Sequence, residues 1–188
     1  MIEEIENLFD KIAETEHAMV YFFLGSVLLA IALFISFDEE FSLEHFLTYA
    51  FGVCVMASFL FAVYAYVLKF IFTENLDKLN ISNAMLGLIF ASLSYAVFTI
   101  VNLFQPIFFD GDNLTYHSIF SPGYILQITT DNIYYQSLLQ SLDFVDLTEM
   151  SISTWFFSHV GKIDFIKVFL VTFAFSFTLY LTMNFLTL

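Results

Sequence analysis

The stretch that decides the fold is Ser42–Phe72, "SLEHFLTYAFGVCVMASFLFAVYAYVLKFIF". A glutamate and a histidine open it, a lysine sits near its close, and residues 46–68 between them carry no Asp, Glu, Lys or Arg. A bilayer core of about 30 Å is crossed by about 20 apolar helical residues. In hydrocarbon every backbone N–H and C=O must be satisfied within the segment, which makes a helix the default. Three further segments, 18–37, 81–109 and 168–188, are equally free of charged side chains.

The bulk composition agrees. The 188 residues are 60% hydrophobic, 20% aromatic and 13% charged, against about 25% charged in soluble domains. The expected fold class is all-α, an integral membrane domain of four transmembrane helices at 18–37, 46–72, 82–109 and 164–187. Residues 1–17 precede them as an amphipathic segment, and 110–163 form one large outer loop between helices three and four. Residues 1–17 place Ile2, Ile5, Leu8, Phe9 and Ile12 at helical spacing, opposite Glu3, Glu4, Glu6, Asp10 and Glu14. That face is too acidic for an anionic lipid surface, so a protein partner is the expected occupant. The 110–163 segment is too rich in Phe, Tyr and Leu for a disordered linker and is expected to pack on something.

A net charge of −14, with five lysines and no arginine, argues against nucleic acid as a partner. The lone Cys54 excludes an internal disulfide and reads as a small apolar side chain. The N-terminus is acidic where a presequence would be basic, so the first helix is expected to direct insertion. Lys11, Lys69 and Lys78 put the N-terminus, the 73–81 connection and the C-terminus on the inner side by the positive-inside rule, with the large loop outside.

The four histidines, His17, His45, His117 and His159, form no pair at the spacing of a helical metal site, and there is no phosphate loop and no nucleophile with its base. What remains is charge at membrane depth. Lys69 is placed to snorkel, and Asp164 with Lys167 to pair across three residues. Glu44 and His45 are the sharper case, because an ionisable group in a spanning segment costs about 2.5–3.5 kcal/mol at its centre. The 46–72 helix is also over-long for a 30 Å core and must tilt, kink or bulge.

His17, then Leu43-Glu44 after 27 residues, then Tyr49 and Gly52 in "TYAFG", then the apolar run "VCVMASFLFAVYAYVL" resemble the chain 6 membrane subunit of NADH:ubiquinone oxidoreductase, respiratory complex I. The motifs cover residues 14–70. The tyrosine–glycine spacing has one extra residue, and the acidic segment 1–17 stands where that family has its first helix. The resemblance implies a noncatalytic subunit that couples quinone reduction to proton translocation in the mitochondrial inner membrane or a bacterial plasma membrane. Glu44 falls on that family's buried carboxylate, while Tyr49 and Gly52 fall on a deformable π-bulge. The chain itself would bind no cofactor or metal. NADH, flavin, iron–sulfur clusters and quinone would belong to partner subunits, and the partners would be other integral membrane subunits and lipids. The reading from a different class is a four-helix membrane scaffold or assembly subunit. A degenerate channel would use 153–164, "STWFFSHVGKID", as its pore segment, but this lacks the Gly-Tyr-Gly carbonyl filter.

Overall fold

The computed structural model describes residues 2–36, 42–104, 122–125 and 132–186. Among these residues the chain is all-helical, in the order α1 (Ile2–Glu14), α2 (Ala18–Ser36), α3 (Leu43–Ile71), α4 (Thr73–Leu76), α5 (Ile81–Phe104), α6 (Pro122–Ile125), α7 (Ile133–Ser141), α8 (Phe144–Gly161) and α9 (Phe165–Leu186). Three helices are long and apolar enough to cross a membrane: α3 over Glu44–Ile71, α5 over Ile81–Phe98, and α9. Together α1 and α2, bent by 118° at their junction, qualify as up to a fourth.

The local chemistry sets the boundaries. Ser42 caps α3 by accepting the His45 N–H at 3.4 Å, and Asp143 caps α8 by accepting the Val145 N–H at 2.9 Å. Such caps satisfy amides that have no partner within the helix. Lys162 ends α8 in the left-handed region, at φ 50°. The turn it makes sends the chain straight into α9, where Asp164 Oδ1 accepts the Ile166 and Lys167 N–H groups at 3.0 and 3.2 Å. The expected Asp164–Lys167 pairing is therefore a backbone cap.

The part of 110–163 that lies within the described residues is largely helical and packed against the bundle. Residues 132–161 fold into α7 and α8, and α8 packs between α5 and α9 with Val145, Met150, Phe156 and Phe157 buried. Residues 105–121 and 126–131 lie outside the described part. Helix α8 carries Asp146 and Glu149 and so lacks the charge-free run by which spanning segments are recognised, yet its neighbours enclose it. It runs antiparallel to α5: the Cβ of an alanine at Gly87 would lie 2.3 Å from Phe156, Ser92 bonds Glu149, and the Phe98 and Phe144 rings sit 5.4 Å apart.

This reversal changes the direction of the last helix. Asn75 Nδ2 donates to the Gly161 carbonyl at 3.1 Å, and Leu76 packs against Gly161. The start of α9 therefore lies at the same end of the bundle as the α3–α5 connection, not at the opposite end as expected. Its other end meets α7, where Asn184 Nδ2 donates to Ser137 Oγ and Gln140 Oε1, both at 2.9 Å. The N-terminal end of α2 and the C-terminal end of α9 thus lie at opposite ends of the bundle. Lys11, Lys69, Lys78, Lys162 and Lys167 all fall at the end where α8 meets α9, called here the lysine end.

Helix α1 lies against α5 and α8 at that end. Its Phe9 is fully buried among Phe90, Trp155 and Phe156, at ring centroid distances of 6.3, 5.4 and 5.5 Å. Asn83 of α5 donates to the Ile12 and Thr15 carbonyls at 2.8 and 2.9 Å, closing the last turn of α1. The acidic face meets His159, whose Nε2 lies 3.0 Å from Asp10 Oδ1. The chain's own bundle thus covers Phe9 and Ile12 of the α1 apolar face, while Ile2 and Leu8 stay exposed.

Candidate functional site: a column of carboxyl and hydroxyl groups

Asp143, Asp146 and Glu149 recur every three residues, so α8 aligns them along one side. Each meets a different environment. Asp143 is fully buried and occupied as the α8 cap. Asp146 Oδ2 accepts the Tyr180 hydroxyl of α9 at 2.8 Å. Glu149 Oε1 accepts the Ser92 hydroxyl of α5. Among the described residues no cation lies within ion-pair reach of Asp146 or Glu149.

Asp146 and Glu149 are half-buried and line a partly open cavity of about 140 Å³. Tyr64 and Phe61 of α3, Ser153 of α8, and Thr172 and Tyr180 of α9 share its wall. A water occupies about 30 Å³ of liquid and needs two to four polar partners; the volume admits water, and Asp146, Glu149, Ser153, Thr172 and Tyr180 are the polar groups on an otherwise apolar wall. The polar lining continues below the carboxylates. Tyr64 donates to Thr172 Oγ1, which donates to the Val168 carbonyl at 2.9 Å, and Thr154 Oγ1 lies 3.5 Å from Thr172 Oγ1. Above them stand Asp143 and the Ser137, Gln140 and Asn184 group.

The expected site residues fall elsewhere. Glu44 is exposed, in the first turn of α3, and is not part of the column. Tyr49 is half-buried against Phe34, with ring centroids 5.8 Å apart, and its neighbour at Gly52 would meet nothing within 4 Å if given a Cβ. Helix α3 is regular α-helix from Leu43 to Ile71, so the π-bulge expected at Tyr49–Gly52 is not formed here. Ser42 caps this end of the helix, and its length takes up the span without a break. His45 and His159 lie at opposite ends of the bundle, His117 lies outside the described residues, and no three His, Cys, Asp or Glu converge as metal ligands among the described residues. Lys69 Nζ turns back to the Asp77 and Leu79 carbonyls, as a snorkelling lysine does. Residues 153–161 of the supposed pore segment are uninterrupted helix.

No family model matches the chain, and no curated protein or solved structure is similar to it. The likeness to the complex I subunit therefore stands on its short motifs alone. Composition and three to four helices long and apolar enough to span a bilayer point to a membrane-embedded protein that is all-helical among the described residues.

Proposed function

We propose that the chain is a noncatalytic membrane subunit that moves protons within its helical bundle, with Asp146 and Glu149 as the exchanging groups. The observation that carries this reading is the placement of two carboxyl groups on one partly open cavity within the bundle, with hydroxyl partners and, among the described residues, no cation. An ionised carboxylate without a counter-charge in such surroundings costs several kcal/mol. A neutral acid that hands its proton to a water or hydroxyl avoids that cost at each step. Ionisable groups facing a bundle interior are the usual elements of membrane proton relays.

The larger setting consistent with the motifs around Glu44 is a proton-pumping NADH:quinone oxidoreductase, in the mitochondrial inner membrane or a bacterial plasma membrane. In it this chain is one membrane subunit, without flavin, iron–sulfur cluster or quinone site of its own. Glu44 then serves at the membrane boundary, and the proton groups are those of α8. The lysine end faces the matrix or cytoplasm by the positive-inside rule.

The test uses a hydrophobic carbodiimide on the protein in its native membrane. A protonated carboxyl adds its O–H across one C=N bond of the reagent, giving an O-acylisourea whose acyl group migrates to nitrogen, so the whole reagent is retained. Mass spectrometry should find it on Asp146 or Glu149. Labelling at each position should vanish in Asp146→Asn and Glu149→Gln respectively, and persist in Glu44→Gln. An unlabelled α8 peptide in folded protein refutes the proton role. Recovery of the chain without flavin, iron–sulfur clusters or NADH–quinone activity refutes the proposed complex and leaves the proton role standing.

A further inference from the structure

We infer that the groove between α1, α2 and α5 is a binding site for one anionic phospholipid, with Lys11 on its phosphate and an acyl chain along α5. The inference rests on the membrane embedding of the chain and is independent of the proton role. The groove has a volume of about 380 Å³. Its α1 wall is Leu8, Lys11, Ile12 and Thr15, the three- and four-residue spacing of one helical side. Its floor is made by α2 and α5. An added Cβ at Gly25 would lie 3.0 Å from Ile89 Cγ1, so the two helices meet closely there and shut the groove off from the bundle behind. From Leu86 to Leu93 the α5 side is apolar and runs about 10 Å at 1.5 Å per residue. Helix α5 starts at the lysine end, so the groove rises from the level of a headgroup layer toward the membrane interior. A lipid enters it sideways without leaving the bilayer.

The charge on this groove is Lys11 alone. Among the described residues its ammonium has no ion pair and no hydrogen bond, although the chain carries 19 Asp and Glu. Their placement keeps them away. Glu6 and Asp10 meet His159 of α8 on another side of α1. The other hollows at the lysine end differ: Lys78 and Lys162 share theirs with Asp10 and Glu14, or with Glu74 and Asp77. Those cations face carboxylates already, and Lys11 faces an apolar trough. A phosphodiester head with an acyl tail is complementary to that pairing. An ammonium binds phosphate through charge-assisted hydrogen bonds, as a point charge. The Thr15 hydroxyl accepts the His17 N–H at 3.3 Å and keeps its own O–H to donate. The acidic face of α1 would repel an anionic surface, but it does not line the groove, so the site takes a single lipid and not a membrane face.

The experiment titrates the full chain, purified in mild detergent, with dioleoyl phosphatidylglycerol or dioleoyl phosphatidylcholine and reads bound lipid by native mass spectrometry. Wild type should keep one phosphatidylglycerol under activation that strips phosphatidylcholine. Lys11→Gln should weaken its binding about fivefold, the worth of one lysine at an anionic headgroup, while Lys78→Gln leaves it unchanged. Leu8→Trp fills the trough from the α1 side and should also lower retention, with Lys11 intact. Leu8 is exposed, so the thermal midpoint of that variant should stay at the wild-type level. Equal retention of the two phospholipids overturns the inference, as does a loss in Lys78→Gln equal to that in Lys11→Gln. Retention unchanged in both Lys11→Gln and Leu8→Trp places the lipid elsewhere and overturns it too. Oleate retained in preference to phosphatidylglycerol assigns the groove to a fatty acid and overturns the phospholipid. None of these outcomes bears on the carbodiimide labelling of α8, which tests the proton role separately.

Discussion

Removing the Phe9 ring should free α1 from the bundle without unfolding it. Phe9 is fully buried, with edge contacts to Phe90, Trp155 and Phe156. Phe→Ala in a packed core costs about 3–5 kcal/mol. The other anchors of α1 are smaller. The His159–Asp10 contact is largely exposed, and pairs of that kind contribute about 0–1 kcal/mol. The two Asn83 bonds add about 1 kcal/mol each. A 13-residue helix has little stability by itself, so it should detach before α2, α3, α5, α8 and α9 separate. At 1.4 kcal/mol per decade, a loss of about 3–5 kcal/mol speeds local opening by about a hundredfold to a few thousandfold. Hydrogen exchange of the 2–14 amides reads this directly. Trp155 is the chain's single tryptophan and reads it independently: acrylamide should quench it more in Phe9→Ala than in wild type. Unchanged exchange over 2–14 together with unchanged quenching would show that Phe9 does not anchor α1.

Two further predictions concern the frame around the column. Gly87→Ala should lower the thermal midpoint in detergent, because the new Cβ would sit 2.3 Å from Phe156 Cε1. Overpacking costs about 1–3 kcal/mol and outweighs the helix-propensity gain of about 1 kcal/mol. The same change at Gly25, 3.0 Å from Ile89 Cγ1, should be much milder, and equal effects at both positions would refute the argument. Asn83→Ala should raise amide exchange over the last turn of α1 while leaving α5 protected, because it leaves the Ile12 and Thr15 carbonyls without their donor. Protection that stays at the wild-type level would assign those bonds no role in docking.

The spanning helices were legible because their physics is local. A charge-free run of about 20 residues reports its own burial in lipid, and α3, α5 and α9 each contain one. Helix α8 was not legible in that way. Its sequence, "FVDLTEMSISTWFFSHVG", is moderately polar, and what makes it an interior helix is the neighbours that cover it. Residues 110–163 therefore read as a loop with apolar side chains, and the direction of α9 was inverted as a consequence. The lysines were the recoverable clue: Lys162 and Lys167 flank a turn next to Lys78, which a single lysine-bearing end explains better than a lysine in an outer loop.

The site was hidden for a related reason. Glu44 stood out because it interrupts an apolar run at a helix start, yet that position places it at the boundary, where a carboxylate is tolerated. Asp146 and Glu149 were unremarkable inside a segment already taken as extramembrane. The three-residue spacing from Asp143 through Glu149, followed by Ser153 and Thr154, was the available signal of one polar helical side. Magnitudes then decide what that side does. Glu149 lies about 18 Å above the lysine end, where at an effective dielectric of 20 a lysine attracts a carboxylate by about 1 kcal/mol. That does not offset the several kcal/mol of desolvation, to which the Tyr180 hydroxyl sets one hydrogen bond to Asp146 and the Ser92 hydroxyl one to Glu149. Among the described residues the five lysines stand at one end and leave Asp146 and Glu149 without a counter-charge, which is the physical ground for the proton role proposed for them.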